Sequence, residues 1–153
     1  MIVVVIIGIS AAVAVANLFP SDEEKLQREG ERVLSLLQRA RDEAVFGGRI
    51  IGVVVATDRI EFLERDITDP TRWQASRLDD LHARPLPDML RAQLRIGSQT
   101  SMHERATTAE TAQIIFLPVG VAAPFEVTLR AGAGVRRITG DAIGNMVLAR
   151  EPA

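Results

Sequence analysis

Residues 20–48 read PSDEEKLQREGERVLSLLQRARDEAVFGG, and this stretch decides the fold. Pro20 has no backbone N–H to donate. Ser21, with Glu24 three residues later, has the spacing of an N-terminal capping box, and Gly47 with Gly48 supplies a helix stop. Between these signals, small and apolar residues recur at intervals of three and four. This pattern predicts an amphipathic helix that packs on a sheet through Leu26, Gly30, Val33, Leu37, Ala40 and Ala44.

An apolar run without any charged residue, 1–19, precedes this helix. As a helix with a rise of ~1.5 Å per residue it would reach about 28 Å, close to a hydrocarbon core of ~30 Å. Three interpretations are open: a cleavable secretory signal, a single-pass anchor, or the interior of a longer assembly helix with a break near Pro20. The third also accounts for the helical stripe that continues beyond residue 20. It predicts membrane and assembly contacts through Ile2, Val5, Ile6, Gly8, Ile9, Ala12, Val15, Leu18 and Phe19.

Beyond residue 48 the periodicity is that of β-strands. Residues 50–57 and 59–65 are rich in β-branched residues and are joined at Asp58, which predicts a hairpin. Residues 66–88 contain several prolines and predict an irregular connection, with Trp73 anchoring it to the core. A weakly apolar loop is expected at 97–112. Further strands are predicted at 91–96, 114–120, 125–130, 135–140 and 145–150.

The sequence therefore predicts an α+β fold with three regions. The first region, 1–20, is a membrane and assembly helix, and 21–47 is its amphipathic continuation. The third, 48–153, is an antiparallel β domain of about six or seven strands.

The composition excludes several kinds of chemistry. The chain has no cysteine, so a disulfide, a thiol nucleophile and a thiolate metal site are excluded. His82 and His103 are isolated in polar stretches and predict surface side chains rather than metal ligands. Asp79, Asp80 and His82 form one acidic cluster of the kind a tethered hydrolase would need, but no nucleophile motif or glycine cradle accompanies them. We expect a protein that is not an enzyme and that has no cofactor or bound metal.

Several stretches resemble members of the type IV pilin-like superfamily. Residues 4–12, VVIIGISAA, resemble the end of the apolar stretch in the N-terminal helix of these proteins. Residues 37–45, followed by Gly48, Arg49 and an immediate strand, are similar to the helix-to-sheet junction of the H-type minor pseudopilins (GspH) of type II secretion systems. The motifs FLPVG at 116–120, PFEV at 124–127 and GDAIGN at 140–145 are similar to the strands and turns that end that family's domain.

The resemblance implies a pilin-like fold and a structural role at the tip of a pseudopilus that drives export of folded proteins across the outer membrane. It implies an inner-membrane, single-pass location with the β domain in the periplasm. The implied partners are the other major and minor pseudopilins, the inner-membrane secretion platform, and a secretin or secreted substrate. It also implies that a basic leader, a processing site and a glutamate would precede Met1, and that the sequence as written would insert without being matured or assembled.

Nucleic acid is a second kind of partner to weigh. The alternative function is that of a FimT-type minor pilin of a type IV pilus, since these proteins share this organisation and some bind DNA. The candidate basic patch is Arg130, Arg136 and Arg137. The net charge is −2 and no aromatic residues are interleaved with these arginines, so the sequence argues against nucleic acid as a partner.

Overall fold

The computed structural model describes residues 21–97, 99–101, 112–120 and 123–150, in which one helix packs against two antiparallel sheets. Helix α1 spans Asp22–Gly47. The strands, in chain order, are β1 Ile51–Val55, β2 Arg59–Arg65, β3 Trp73–Ala75, β4 Arg84–Pro85, β5 Arg91–Ile96, β6 Gln99–Ser101, β7 Ile114–Phe116, β8 Phe125–Ala131, β9 Gly134–Gly140 and β10 Met146–Arg150.

In the described part of the chain, the two sheets contain five strands each and differ in strand order. Sheet A follows the order β3-β2-β1-β7, with β4 also paired to β2, and sheet B follows β10-β9-β8-β5-β6. The hairpin expected from residues 50–65 is confirmed by the β1–β2 pairing, which joins Val55 to Ile60 at its turn. The long β8–β9 pairing from Phe125↔Gly140 to Ala131↔Gly134 forms the centre of sheet B.

The described residues contain ten strands, where the sequence predicted six or seven. The additional strands β3 and β4 lie in the stretch 66–88, which was expected to be irregular, and β6 lies in the expected loop 97–112. Each has only two or three residues. They form by pairing with β2 or β5, so tertiary contact rather than local propensity determines them.

One core joins the helix to both sheets. The buried residues of α1 are Leu26, Gly30, Val33, Leu37, Ala40 and Ala44. The side chains of this stripe share one core with Val53 and Phe62 of sheet A and with Val127 and Leu129 of sheet B. Phe116 of β7 and Phe125 of β8 contact edge to face, with ring centroids 6.2 Å apart. This aromatic pair ties the two sheets together at the core.

A smaller cluster covers the outer face of sheet A. Trp73 is half-buried there with Val54, Leu63 and Ala112, and the Arg65 guanidinium lies 4.6 Å from its ring centroid. The tryptophan thus anchors the connection after β2 by packing on the back of the sheet.

Candidate assembly surfaces

The start of α1 is built as an N-cap. Ser21 has extended backbone angles, and its Oγ accepts a hydrogen bond from the backbone N–H of Glu24 at 3.2 Å. Asp22, Glu23 and Glu24 place negative charge in the first turn, where the helix dipole favours it. Among the described residues, no helix has the length and apolar character needed to cross a membrane. Pro20 and the predicted contact residues of 1–19 lie outside the described residues.

A buried arginine attaches the start of the helix to sheet B. Arg136 of β9 faces the helix with only 4% of its side chain exposed. Its Nε donates to Gln27 Oε1 at 2.6 Å, and its Nη2 lies 3.4 Å from Glu23 Oε1. Gln27 in turn donates to Glu31 at 2.8 Å. The guanidinium therefore holds the first two turns of α1 on the sheet through charge-assisted hydrogen bonds.

Ion pairs also lie along the first three turns of α1. Lys25–Asp22, Arg28–Glu24 and Arg32–Glu29 are three or four residues apart, with N–O distances of 3.5 to 3.7 Å. Pairs of this kind contribute only about 0.3–0.5 kcal/mol each.

Two turns pack against the end of α1. Arg41 Nη1 donates to the carbonyl of Gly144 at 2.8 Å, which fixes the turn 141–144. A Cβ placed on Gly120 would lie 3.5 Å from Val45, so the turn 117–120 is in contact with the same part of the helix. Gly48 ends the helix with a positive φ of 62° and donates its N–H to Ala44.

These three segments expose four apolar side chains at one end of the molecule. Phe46 is 86% exposed, Val119 77% and Ile143 74%, while Val45 is less exposed at 38%. We call Val45, Phe46, Val119 and Ile143 the distal patch. Its large side chains are at turn tips and a helix end, where they support no core packing.

The structure corrects the predicted basic patch of Arg130, Arg136 and Arg137. Along β9 successive side chains alternate between the two faces of the sheet. Arg136 consequently faces the helix and is buried, whereas Arg137 and the exposed Arg130 are on the opposite face of sheet B. Arg137 Nε lies 3.4 Å from Glu126. The three arginines do not share a surface.

The acidic cluster weighed as a catalytic candidate is open surface. Asp79, Asp80 and His82 are exposed, and Asp80 lies 3.5 Å from Arg39 on the helix. His103 lies outside the described residues. Within the described residues there is no group of three or more His, Cys, Asp or Glu side chains that could hold a metal ion.

The carboxylates with shifted pKa values belong to turns. The backbone N–H of Thr68 donates to Asp66 and lowers the pKa of that carboxyl. Hydrogen bonds from the Thr71 hydroxyl and backbone lower the pKa of Asp69 in the same way. These hydrogen bonds favour the ionised form of both carboxylates, so the lowered pKa values have a structural cause.

A helix whose buried stripe packs across antiparallel sheets is a pilin-like arrangement, and comparison with known proteins specifies the class. Residues 29–144 match the family described as Type II transport protein GspH. The chain belongs to the GspH family.

Individual relatives agree with this assignment. The chain is 24% identical over 116 residues to Type II secretion system protein H of Aeromonas hydrophila, a match that covers 70% of this chain and 63% of that protein. Its fold is similar to the crystal structure of the minor pseudopilin EpsH from the type II secretion system of Vibrio cholerae, with a TM-score of 0.72 and 20% identity. That match covers 87% of this chain and 99% of the other. It is also similar to E. coli GspH, with a TM-score of 0.64 and 16% identity, covering 84% and 92% of the two chains.

The resemblance to the H-type minor pseudopilins is therefore confirmed. The family is one of structural components of a secretion system, so the prediction of a protein that is not an enzyme is confirmed as well.

Proposed function

We propose that the protein is a structural minor pseudopilin that helps form the pseudopilus tip of a type II secretion system, which exports folded proteins across the outer membrane. The observation that carries the proposal is the packing of α1. Its stripe is buried across both sheets, and its start at Ser21 is exposed and capped. An uncharged run of apolar residues immediately precedes this start in the sequence.

In this proposal residues 1–20 anchor the subunit in the inner membrane before assembly and pack against neighbouring helices in the fibre. Small residues such as Gly8, Ala12 and Ala16 permit close helix approach. The β domain lies in the periplasm. The partners are other major and minor pseudopilins and the inner-membrane secretion platform, and the secretin or a secreted substrate is met at the tip.

The two ends of α1 support a fibre subunit with a defined polarity. The helix has 26 residues, so its capped start and the distal patch are separated by about 39 Å at ~1.5 Å per residue. A chain entering at one end and an exposed apolar patch at the other suit contacts with successive subunits along a fibre.

Membrane fractionation tests the anchor directly. The full chain, expressed in a bacterium with a type II secretion system, is expected in the inner-membrane fraction. Replacing Ile9 and Ala12 by Lys should release it, because each buried lysine at mid-membrane costs about 2.5–3.5 kcal/mol. A control variant with charge changes in the β domain, Arg72→Glu with Arg77→Glu, should remain in the membrane. Recovery of the unaltered chain in the soluble fraction would contradict the anchor.

A further inference from the structure

The outward face of sheet B, on the side away from α1, carries four arginines in the part of the chain that the structure describes. Along β5 the buried Ala92 and Leu94 alternate with outward Arg91 and Arg95. The same alternation brings out Arg130 on β8 and Arg137 on β9. We call Arg91, Arg95, Arg130 and Arg137 the basic face. Strand pairing β5-β8-β9 places them on three adjacent strands.

Two of these arginines are directly opposite each other. In the β5–β8 ladder, Arg91 is the register partner of Arg130. Like charges at such positions are destabilising to the sheet. Arg91 donates to the neutral backbone carbonyls of Asp88 and Leu90 at 2.7 Å, and no carboxylate within the described residues forms an ion pair with either guanidinium. Within the described residues, both charges are left for an external anion to neutralise.

The other two arginines are close to Glu126. Glu126 of β8 accepts from Arg95 at 2.8 Å and lies 3.4 Å from Arg137. The described outward residues of β5, β8, β9 and β10 thus include four arginines and one carboxylate. The net charge of the whole chain is −2, so this group of arginines is a local feature, and it attracts acidic surfaces.

Apolar side chains border the arginines on the same face. Val147 of β10 is 59% exposed, and Ala149 beside Arg137 is exposed as well. A cleft of about 400 Å³ opens next to them, lined in part by Arg95, Val147 and the carboxylates Glu126 and Asp141. Arginine mixed with apolar residues beside a concavity is typical of a protein–protein interface. No aromatic side chain points outward from the described part of these four strands, so the stacking platforms of single-stranded nucleic acid binders are missing.

We propose that the basic face docks a carboxylate-rich surface of a neighbouring pseudopilin, with Val147 packed at the edge of the contact. This inference rests on the proposed function, since it takes the neighbour to be another pseudopilin. The contact is distinct from helix packing and from the distal patch, because it uses the side of sheet B that faces away from α1.

Site-specific crosslinking tests the proposal, because the chain contains no cysteine of its own. The full chain in detergent with Val147→Cys, labelled with benzophenone maleimide, is irradiated with each purified pseudopilin of the same secretion system. We expect a crosslink to one of them. Arg91→Glu with Arg130→Glu should reduce its yield roughly tenfold or more, and about 0.5 M NaCl should weaken it, since charge complementarity drives the encounter.

The matched control is Arg72→Glu with Arg77→Glu, an equal charge change at two exposed arginines outside sheet B, which should leave the yield within about twofold. The single change Arg130→Glu provides a second test if the double variant melts at a lower temperature. Equal yields in both double variants would overturn the docking surface but leave the pseudopilin function standing.

Two further results separate the remaining explanations. A probe at Ile67→Cys, 93% exposed on the turn after β2, reports contact elsewhere. Absence of crosslinks from both probes to every pseudopilin would overturn the proposed function together with the inference. Salt-sensitive binding of a 20-bp DNA duplex, lost in Arg91→Glu with Arg130→Glu while pseudopilin crosslinking is unchanged, would assign the basic face to nucleic acid and overturn the protein partner.

Discussion

At the scale of single residues, Gly52 of β1 allows the smaller cluster to pack directly on the strand backbone. A Cβ at this position would lie 2.3 Å from the Cβ of Ala112 and 2.8 Å from the Trp73 ring. Both distances are far below van der Waals contact. We therefore expect Gly52→Ala to displace the tryptophan and lower the free energy of unfolding by about 1–3 kcal/mol.

Urea unfolding of the full chain in detergent measures this effect, and Gly47→Ala is the matched control. Gly47 is in the last turn of α1, where the nearest atoms to an added Cβ are 3.5 Å away. An alanine there should be neutral or stabilising by up to about 1 kcal/mol, given its helix propensity. Equal midpoints for the two variants would contradict the packing described for Trp73.

Arg136 is the second residue with a specific structural role. Its hydrogen bonds to Gln27 and Glu23 join β9 to the helix, and bonds of this charge-assisted kind contribute about 1.5–3 kcal/mol. Since Glu23 is 50% exposed, we expect Arg136→Ala to cost the lower part of that range. The exposed Arg130→Ala should change stability by less than about 0.5 kcal/mol. Thermal melts that rank the two variants in the reverse order would show that the hydrogen bonds from Arg136 to the helix are not needed for stability.

At the scale of elements, the turn 141–144 makes the stability of the fold depend on pH in the acid range. Desolvation alone would raise the pKa of Asp141, but hydrogen bonds from the Asn145 backbone and side chain and from the Ile143 and Gly144 backbones outweigh it and lower the pKa. A carboxyl whose pKa is lower in the folded state contributes stability above its unfolded value of ~3.9 and loses it as pH falls further.

We expect the melting temperature to fall as pH is lowered from about 5 to 3, with a shallower fall in Asp141→Asn. Asp66 and Asp69 have lowered pKa values too, so the dependence should be reduced rather than abolished. Melting curves recorded at intervals across this range provide the measurement. An identical slope in the variant would contradict the role assigned to the Asp141 hydrogen bonds.

The helix and the long hairpins were predictable because their signals are local. Ser21, the three-and-four spacing of the stripe and Gly48 all act within a few residues of where they occur, and the buried residues of α1 follow that spacing. Strands β3, β4 and β6 are too short to carry a periodic signal, and Pro85 in β4 argues against a strand. Their pairing depends on β2 and β5, which local sequence does not specify.

At the scale of the whole molecule, the basic face was missed for a related reason. Arg91 and Arg130 are 39 positions apart in sequence and meet only because β5 pairs with β8. Conversely, Arg136 and Arg137 are adjacent in sequence but are on opposite faces of the sheet. The sequence shows where arginines cluster along the chain. Strand register, and the face of the sheet on which each side chain lies, determine which of them share a surface.

The distal patch should matter for assembly and not for folding. Phe46 is 86% exposed at the end of α1, so Phe46→Asp should leave the melting temperature within about 2 °C of the unaltered protein. Because a charge is costly in an apolar contact, we expect the same variant to reduce secretion when it replaces the native copy. Ile67→Asp changes an equally exposed apolar residue outside the patch and serves as control. Normal secretion by Phe46→Asp would remove the patch from the assembly contacts.

The central claim, that the protein is a working part of a type II secretion system, is tested most directly by deleting its gene in the native bacterium. The measurement is the share of the secreted proteins found in the medium against the share retained in the periplasm. We predict that folded cargo accumulates in the periplasm and that the intact gene restores export, whereas the gene encoding Ile9→Lys with Ala12→Lys does not. Unchanged export in the deletion strain would contradict the claim.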